Sequence, residues 1–294
     1  MVTPPPSPFS FTLIGAGRVG TAVAELLRRA GHRPVAVASR SELSAARAAG
    51  LLGCPVTEVK AAVRNAEVVV LGVPAGAIEE MAASIAPHLH PGPVVVHLAG
   101  TVGLDPLHPV RSAGALGAAL HPVQACPDVD TAIARLPGSA WGITTDESIE
   151  EWARAVVTDD LQGSPVIVDE AARPLWHAAA VMTSNGIAAL LTIGESLLQS
   201  ISITHPEDVL GPLAHGTVQN AIEGGGGGAT LTGPIVRGEM DAVARQMDAI
   251  DSADPRLSPA FRLGARLILE AAVGSGRVAD EAAAGWRRLL ETER

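Results

Sequence analysis

Phe11-Thr12-Leu13-Ile14-Gly15-Ala16-Gly17-Arg18-Val19-Gly20 is the stretch whose reading decides the fold. A short β-rich run leads directly into G-x-G-x-x-G, and apolar residues at helical spacing follow from Val19 to Ala30. Each glycine has a mechanical role in such a strand–turn–helix unit. The first makes the tight turn, the second lets backbone approach a pyrophosphate, and the third packs helix closely on strand. The start of the helix then offers unpaired amides and a partial positive charge to phosphate. Gly15, Ala16, Gly17, Arg18, Val19 and Gly20 are therefore the expected dinucleotide loop.

Working outward, the pattern repeats. Candidate strands at Phe11 to Ile14, Pro34 to Ala38, Glu67 to Gly72, Pro93 to His97, Gly117 to His121 and Ala140 to Thr144 alternate with Ala-rich helical stretches such as Glu42 to Ala49. Apolar runs separated by helices indicate βαβ units and a parallel sheet buried on both faces, a doubly wound α/β domain of the Rossmann type. After Val166 to Val168 the alternation stops. Helical segments follow at about Glu170 to Ser200, Pro206 to Ile222, Ile235 to Ile250, Pro259 to Val273 and Ala279 to Leu290, broken at Gly and Pro. The expected organisation is a loose leader at 1–10, a dinucleotide-binding domain at 11–168 and an all-helical substrate and dimerisation domain at 169–294. The run Gly224 to Gly228 reads as a flexible linker.

Cofactor choice turns on the end of the second strand, where an acid would hold the ribose 2′-hydroxyl of NAD. The chain has Ser39-Arg40-Ser41 there, and an arginine flanked by hydroxyls suits a 2′-phosphate, so NADP is expected. Ser39 with Glu42 also fits a helix-capping box, a reading compatible with the first. Further loops at the carboxyl edge of the sheet complete the expected site: Val73-Pro74, His97 through Gly100, and His121-Pro122.

Composition limits the chemistry. The 294 residues carry 21 basic and 31 acidic side chains, a net charge of -10, which is the wrong sign for polyanions; nucleic acid is not an expected partner. There is no tyrosine, and Lys60 is the single lysine, so a Tyr acid or a lysine from the second half of the chain is excluded. Cys54 and Cys126 lie far apart without metal-ligand spacing, and no metal is expected. Hydrophobic residues make up 47%, enough for a sizeable core. Met1 to Ser10 has no basic or apolar signal region. The uncharged stretch Pro174 to Gly194 contains His177, Thr183, Ser184, Asn185 and Thr192, which favours a buried helix of a soluble protein over a membrane span. A cytoplasmic protein with no membrane partner is the expectation.

His177, Val181, Ser184, Asn185 and Ala188 fall on one helical face, and three polar groups on that stripe need partners, either neighbouring helices or a substrate. Leu231-Thr232-Gly233-Pro234-Ile235-Val236-Arg237-Gly238-Glu239 is too particular for a routine turn. With these motifs, together with Gly15 to Gly20, His97-Leu98-Ala99-Gly100, His121-Pro122 and Trp176-His177, the chain resembles bacterial Rossmann-like proteins whose C-terminal helical domain is domain of unknown function 2520. More distantly it is similar to pyrroline-5-carboxylate, ketopantoate and 3-hydroxyisobutyrate reductases. Ala99 and Glu239 stand where that family tends to have Ser and Asp. The resemblance implies an NADPH-dependent reductase of a small 2-oxo acid, with ketopantoate the specific expectation, and a homodimer through the helical domain. Pyrroline-5-carboxylate-type imine reduction and a non-catalytic NADP-binding sensor are the alternatives. In the reductase reading His177 donates the proton, Ser184 and Asn185 polarise the carbonyl or hold a water, and His121, Thr232 and Arg237 bind substrate, with Arg237 clamping its carboxylate.

Overall fold

The computed structural model describes residues 4–291, so Met1–Thr3 of the expected leader lie outside it. The leader is shorter than its composition implied. Phe9 is buried and stacks on His32 at 3.6 Å, and Ser10 opens the first strand. The chain forms two compact units, Met1–Met182 and Thr183–Arg294. The sequence pattern changes at 168, where strands give way to helices; the units divide fourteen residues later, within the long helix Arg173–Ser200.

In the first unit seven strands form one sheet: β1 (Ser10–Ile14), β2 (Arg33–Ala38), β3 (Val68–Leu71), β4 (Val94–His97), β5 (Leu116–Pro122), β6 (Ala140–Thr145) and β7 (Ser164–Ile167). Their order is β2-β1-β3-β4-β5-β6-β7. β1 to β5 are mutually parallel, β6 is antiparallel to β5, and β7 is parallel to β6. The sheet is therefore mostly, not wholly, parallel; apolar runs locate strands but carry no direction.

Alternate residues of the central strands feed two different cores. Leu13, Val68, Val70, Val94 and Val96 point into one, while Ile14, Val69, Leu71 and Val95 point into the other. A strand whose two faces are both dry reads as an unbroken apolar run, as Val68-Val69-Val70-Leu71 does. The helix α1 (Arg18–Arg29) covers the first face and α2 (Glu42–Leu52) follows β2. The order 2-1-3-4-5 puts the topological switch point between β1 and β3, where such sheets leave a crevice at their carboxyl edge.

In the second unit Ile235, Val243, Met247, Leu269, Trp286 and Leu290 build a separate core. The expected helix from Ile235 to Ile250 is two pieces, Pro234–Arg237 and Met240–Ala253, because Gly238 takes a left-handed φ of 77° between them. The glycine run is more than a linker: Gly227 and Gly228 open the short helix Gly227–Thr230, and Gly228 packs close to Ser275. The long helix is also not buried within this chain. Its span Glu170–Ser200 is long and apolar enough to cross a membrane by length and composition, and Arg173 is its one fully buried residue. The polar stripe that argued against a membrane does not specify burial, which depends on what lies opposite.

β4 ends on His97, which is wholly buried and uses both ring nitrogens in its own loop. The Ala99 amide donates to Nδ1 at 3.2 Å, and Nε2 meets the Gly103 carbonyl at 2.6 Å. Burial pushes its pKa down to about 4, the nearby Arg173 charge acting in the same direction. The neutral ring thus favours the fold fully above the unfolded pKa of about 6.5, and that contribution is lost as pH falls from there towards 4. Unfolding by urea should accordingly show stability falling through this window. In His97→Gln the slope should shrink by about 1.4 kcal/mol per pH unit at its steepest; an unchanged slope would show that His97 titrates normally.

Candidate functional site

The glycine loop is a backbone cradle. Gly15 leaves β1 with φ of 91°, and its amide donates to the Ala38 carbonyl at 2.8 Å. Gly72, at the end of β3, donates to the Ile14 carbonyl, also at 2.8 Å. A methyl on Gly15 would lie 2.7 Å from the Gly72 oxygen, and one on Gly20 would lie 2.9 Å from the Gly15 oxygen. Both separations are closer than real side chains reach, so three glycines are required for β1, β3 and α1 to meet here. Gly17 caps α1 without a side-chain hydrogen bond, and the first turn carries no acid. The amides of that turn are thus left for an anion placed at the helix start, as a dinucleotide pyrophosphate would be.

Around the cradle, Ala16 is buried, Val19 packs on the core, and Arg18 donates to the Pro127 carbonyl at 3.0 Å. Val73 lies against Gly15, and Pro74 is exposed beside it. At the end of β2 the helix cap is Ser41, which accepts from the Ser44 amide at 3.3 Å, and not Ser39 as the capping-box spacing implied. Arg40 is exposed and makes no ion pair among the described residues, so its guanidinium is available to a phosphate. These residues fit a phosphorylated dinucleotide.

Further along the carboxyl edge, the ends of β4 and β5 and the start of the long helix bring Gly100, His121 and His177 together. The His121 and His177 rings lie 5.5 Å apart, and a methyl on Gly100 would come within 2.7 Å of His121 Nε2. Trp176 donates its indole N–H to His121 Nδ1 at 3.0 Å. Burial pushes His121 down to about 4, with the positive potential of His177, Arg173 and His97 adding to the effect. His97 itself, expected among the cofactor contacts, points inward to its own loop.

Arg173 anchors this corner. It is wholly buried, donating from Nε to Thr144 Oγ1 at 2.8 Å and from Nη2 to the carbonyls of Ala119 at 2.7 Å and Gly142 at 3.1 Å. Its Nη1 is enclosed without a partner. Burial lowers its pKa to about 10, so it stays a cation at neutral pH. Glu170, one turn earlier, accepts from the Gly103 and Leu104 amides at 3.0 and 2.6 Å, tying the helix start to the loop after β4. Sequence reasoning missed Gly72 and Arg173. The dipeptide Gly72-Val73 directly after a strand was the signal for the first. An arginine opening an uncharged helical stretch was the signal for the second.

The remaining candidates belong to the second unit. Ser184, Asn185 and Thr232 are exposed there. Arg237, expected to clamp a carboxylate, is already held by Glu239 through two hydrogen bonds of 2.7 and 3.0 Å.

Residues 5–122 match a Rossmann-like domain, and residues 139–268 match a domain of unknown function, DUF2520. No curated protein sequence matches. Among solved structures, a Bacteroides fragilis protein provisionally described as an NADP oxidoreductase is 22% identical with a TM-score of 0.75, covering 89% of this chain and 98% of its own. A reductive aminase from Aspergillus terreus, in complex with NADPH and ethyl-5-oxohexanoate, is 17% identical with a TM-score of 0.62, covering 97% and 93%. A pyrroline-5-carboxylate reductase from Coxiella burnetii is 16% identical with a TM-score of 0.57, covering 97% and 100%. At these identities the likeness is one of fold. The two matches, with the glycine cradle, give the chain a Rossmann-like domain over residues 5–122 and a DUF2520 domain over residues 139–268.

Proposed function

We propose that the chain is an NADPH-dependent reductase of a small carbonyl or imine compound. The observation that carries this reading is the backbone cradle of Gly15, Gly20 and Gly72 at the switch point, with an unpaired Arg40 at the end of β2. The amides of the first turn of α1 hold the pyrophosphate, and Arg40 with Ser39 and Ser41 holds the 2′-phosphate. When bound, the cofactor supplies a hydride to the electrophilic carbon. β5 lies three strand spacings from β1, about 14 Å, the scale an extended dinucleotide spans. That distance supports a reading in which Gly100, His121 and His177 stand at the reacting end.

In this reading His177 would give a proton to the substrate oxygen or nitrogen and recover one from solvent. With no tyrosine and Lys60 the single lysine, His177 is the candidate acid beside Gly100 and His121. The solved structures of similar fold include a reductive aminase and a pyrroline-5-carboxylate reductase, which supports imines alongside ketones. Ketopantoate, the specific expectation from sequence, has no residue here that selects it, because Arg237 is engaged by Glu239.

The same reading includes a homodimer. Leu175 and Met182 of the long helix are 76% and 61% exposed, and in the second unit Leu213 and Ile222 are 66% and 74% exposed. Apolar area of this extent on a chain of net charge -10 suits a second copy better than bulk water. Free Cys54 and Cys126 accord with a reducing, cytoplasmic setting.

Three outcomes follow. NADPH should be oxidised by some member of a panel of 2-oxo acids, ketones and cyclic imines, and His177→Ala should lower kcat about 100-fold with the best of them; binding of NADPH with no turnover across the panel would favour a sensor. Calorimetric titration should show NADPH binding more tightly than NADH, with Arg40→Asp costing about 2 kcal/mol for NADPH alone; equal affinities in the parent protein would contradict the phosphate clamp. Light scattering at micromolar concentration should give twice the chain mass of 29.9 kDa, and a monomer would remove the dimer from the account.

A further inference from the structure

The motif Leu231-Thr232-Gly233-Pro234 has a place in the second unit that the reductase reading leaves unused. Gly233 takes φ of 99°, which lets the chain turn directly into the short helix Pro234–Arg237. The turn sets Thr232, Pro234 and Ile235 on the wall of a cavity of about 330 Å³. Ile193 and Leu197 of the long helix line it too, with Phe261 and Ile268 of the helix Ser258–Gly274. Ala260, Gly264 and Ala265 add little volume to that wall, which keeps the space open. No charged side chain lines it, and its two polar ones, Thr232 and Gln246, make no side-chain hydrogen bond among the described residues. Arg262, beside Phe261 in sequence, is drawn to Asp251 at 3.8 Å.

We propose that this cavity binds a small uncharged molecule, a hydrocarbon body about two rings in size carrying one hydrogen-bonding group, which Thr232 and Gln246 meet. The walls belong wholly to the second unit, so the inference does not rest on the reductase reading. Each competing occupant fits the space less well. A buried water needs about two to four polar partners, and this wall offers them only at Thr232 and Gln246. An ion would leave its hydration with no opposite charge to meet. A single side chain from a neighbouring protein is too small, because a cavity of about 150 Å³ already takes a benzene ring and this one is about twice as large. An apolar lining with a few neutral polar groups is the ordinary make-up of a small-molecule pocket. The Thr232 hydroxyl and the Gln246 amide can each donate or accept, so an alcohol or a ketone suits them and a carboxylate does not.

The test uses 1-adamantanol, a rigid cage hydrocarbon with one hydroxyl, and adamantane-1-carboxylate, its charged counterpart. Methyl spectra of the full chain labelled at isoleucine, without cofactor, should show Ile193, Ile235 and Ile268 moving together to saturation with the alcohol. Each is assigned by its loss on substitution with valine, and Ile78 and Ile85 of the first unit should stay in place. The carboxylate at the same concentrations should move none of them. A first side-chain atom at position 264 would meet only Leu190, at 3.7 Å, so Gly264→Leu should fold with Tm no lower than the parent's and raise the midpoint at least about ten-fold. Gln246→Met, at an exposed position, should raise it about five-fold. No saturable shift in the parent chain, an equal response to the carboxylate, or parent-like midpoints in both variants would overturn the inference. Movement of the same methyls on dilution alone, with no response to the alcohol, would assign the space to a second copy and overturn it equally.

Discussion

The close approach of Gly15 to Gly72 is the constraint from which the rest of the site follows. Two strand ends, β1 and β3, come together so tightly that a methyl on either would strike the other's backbone. Gly20 closes the third side by letting α1 settle on both. Any side chain at these positions would force strand from strand or helix from sheet. Because they are absent, the carboxyl ends of β1, β3, β4 and β5 lie along one edge, and the amides of α1 open onto it at the switch point.

One buried cation, Arg173, sits beside the ends of β5 and β6. Arg173 joins the long helix to β5 and β6 through carbonyls and Thr144, and among the described residues no acid forms an ion pair with it, though the Glu170 charge acts on it from nearby. Removing its partners would strand a buried charge, at a cost on the order of 3 to 5 kcal/mol, so the helix start is held firmly. Burial holds His97 and His121 well below the ordinary histidine pKa, and the Arg173 charge acts in the same direction on both. His97 closes a loop with both ring nitrogens, and His121 accepts from Trp176.

Much of this was legible in the residues, for identifiable reasons. Strands buried on both faces, such as Val68-Val69-Val70-Leu71, announce themselves by unbroken hydrophobicity, so the six strands expected from apolar runs, β1 to β6, lie within two residues or so of where those runs place them, whereas the largely exposed β7 was not singled out as a strand. The G-x-G-x-x-G spacing located the cradle because its glycines answer to backbone geometry alone. Direction was not legible: β6 turns antiparallel because of how the chain returns from the helix Val129–Arg135, which no residue pattern records. Nor was the cap at Ser41, since Ser39 matches the same spacing rule. Arg173 escaped notice because an arginine at a helix start ordinarily faces water, and its burial depends on carbonyls more than 30 residues away in sequence. The long helix was read as buried from its polarity, yet burial is a property of the surroundings and this chain alone does not supply them.

The central claim is that the backbone at Gly15, Gly17 and Gly72 receives a phosphorylated dinucleotide. Hydrogen–deuterium exchange of the full chain, with and without saturating NADPH, tests it most directly because it reads the backbone itself. The account predicts slower exchange in peptides covering residues 15–20, 39–41 and 72–74, with the second unit's core helix Met240–Ala253 unaffected. Unchanged exchange through 15–20 while NADPH is demonstrably bound, or protection confined to other segments, would contradict it.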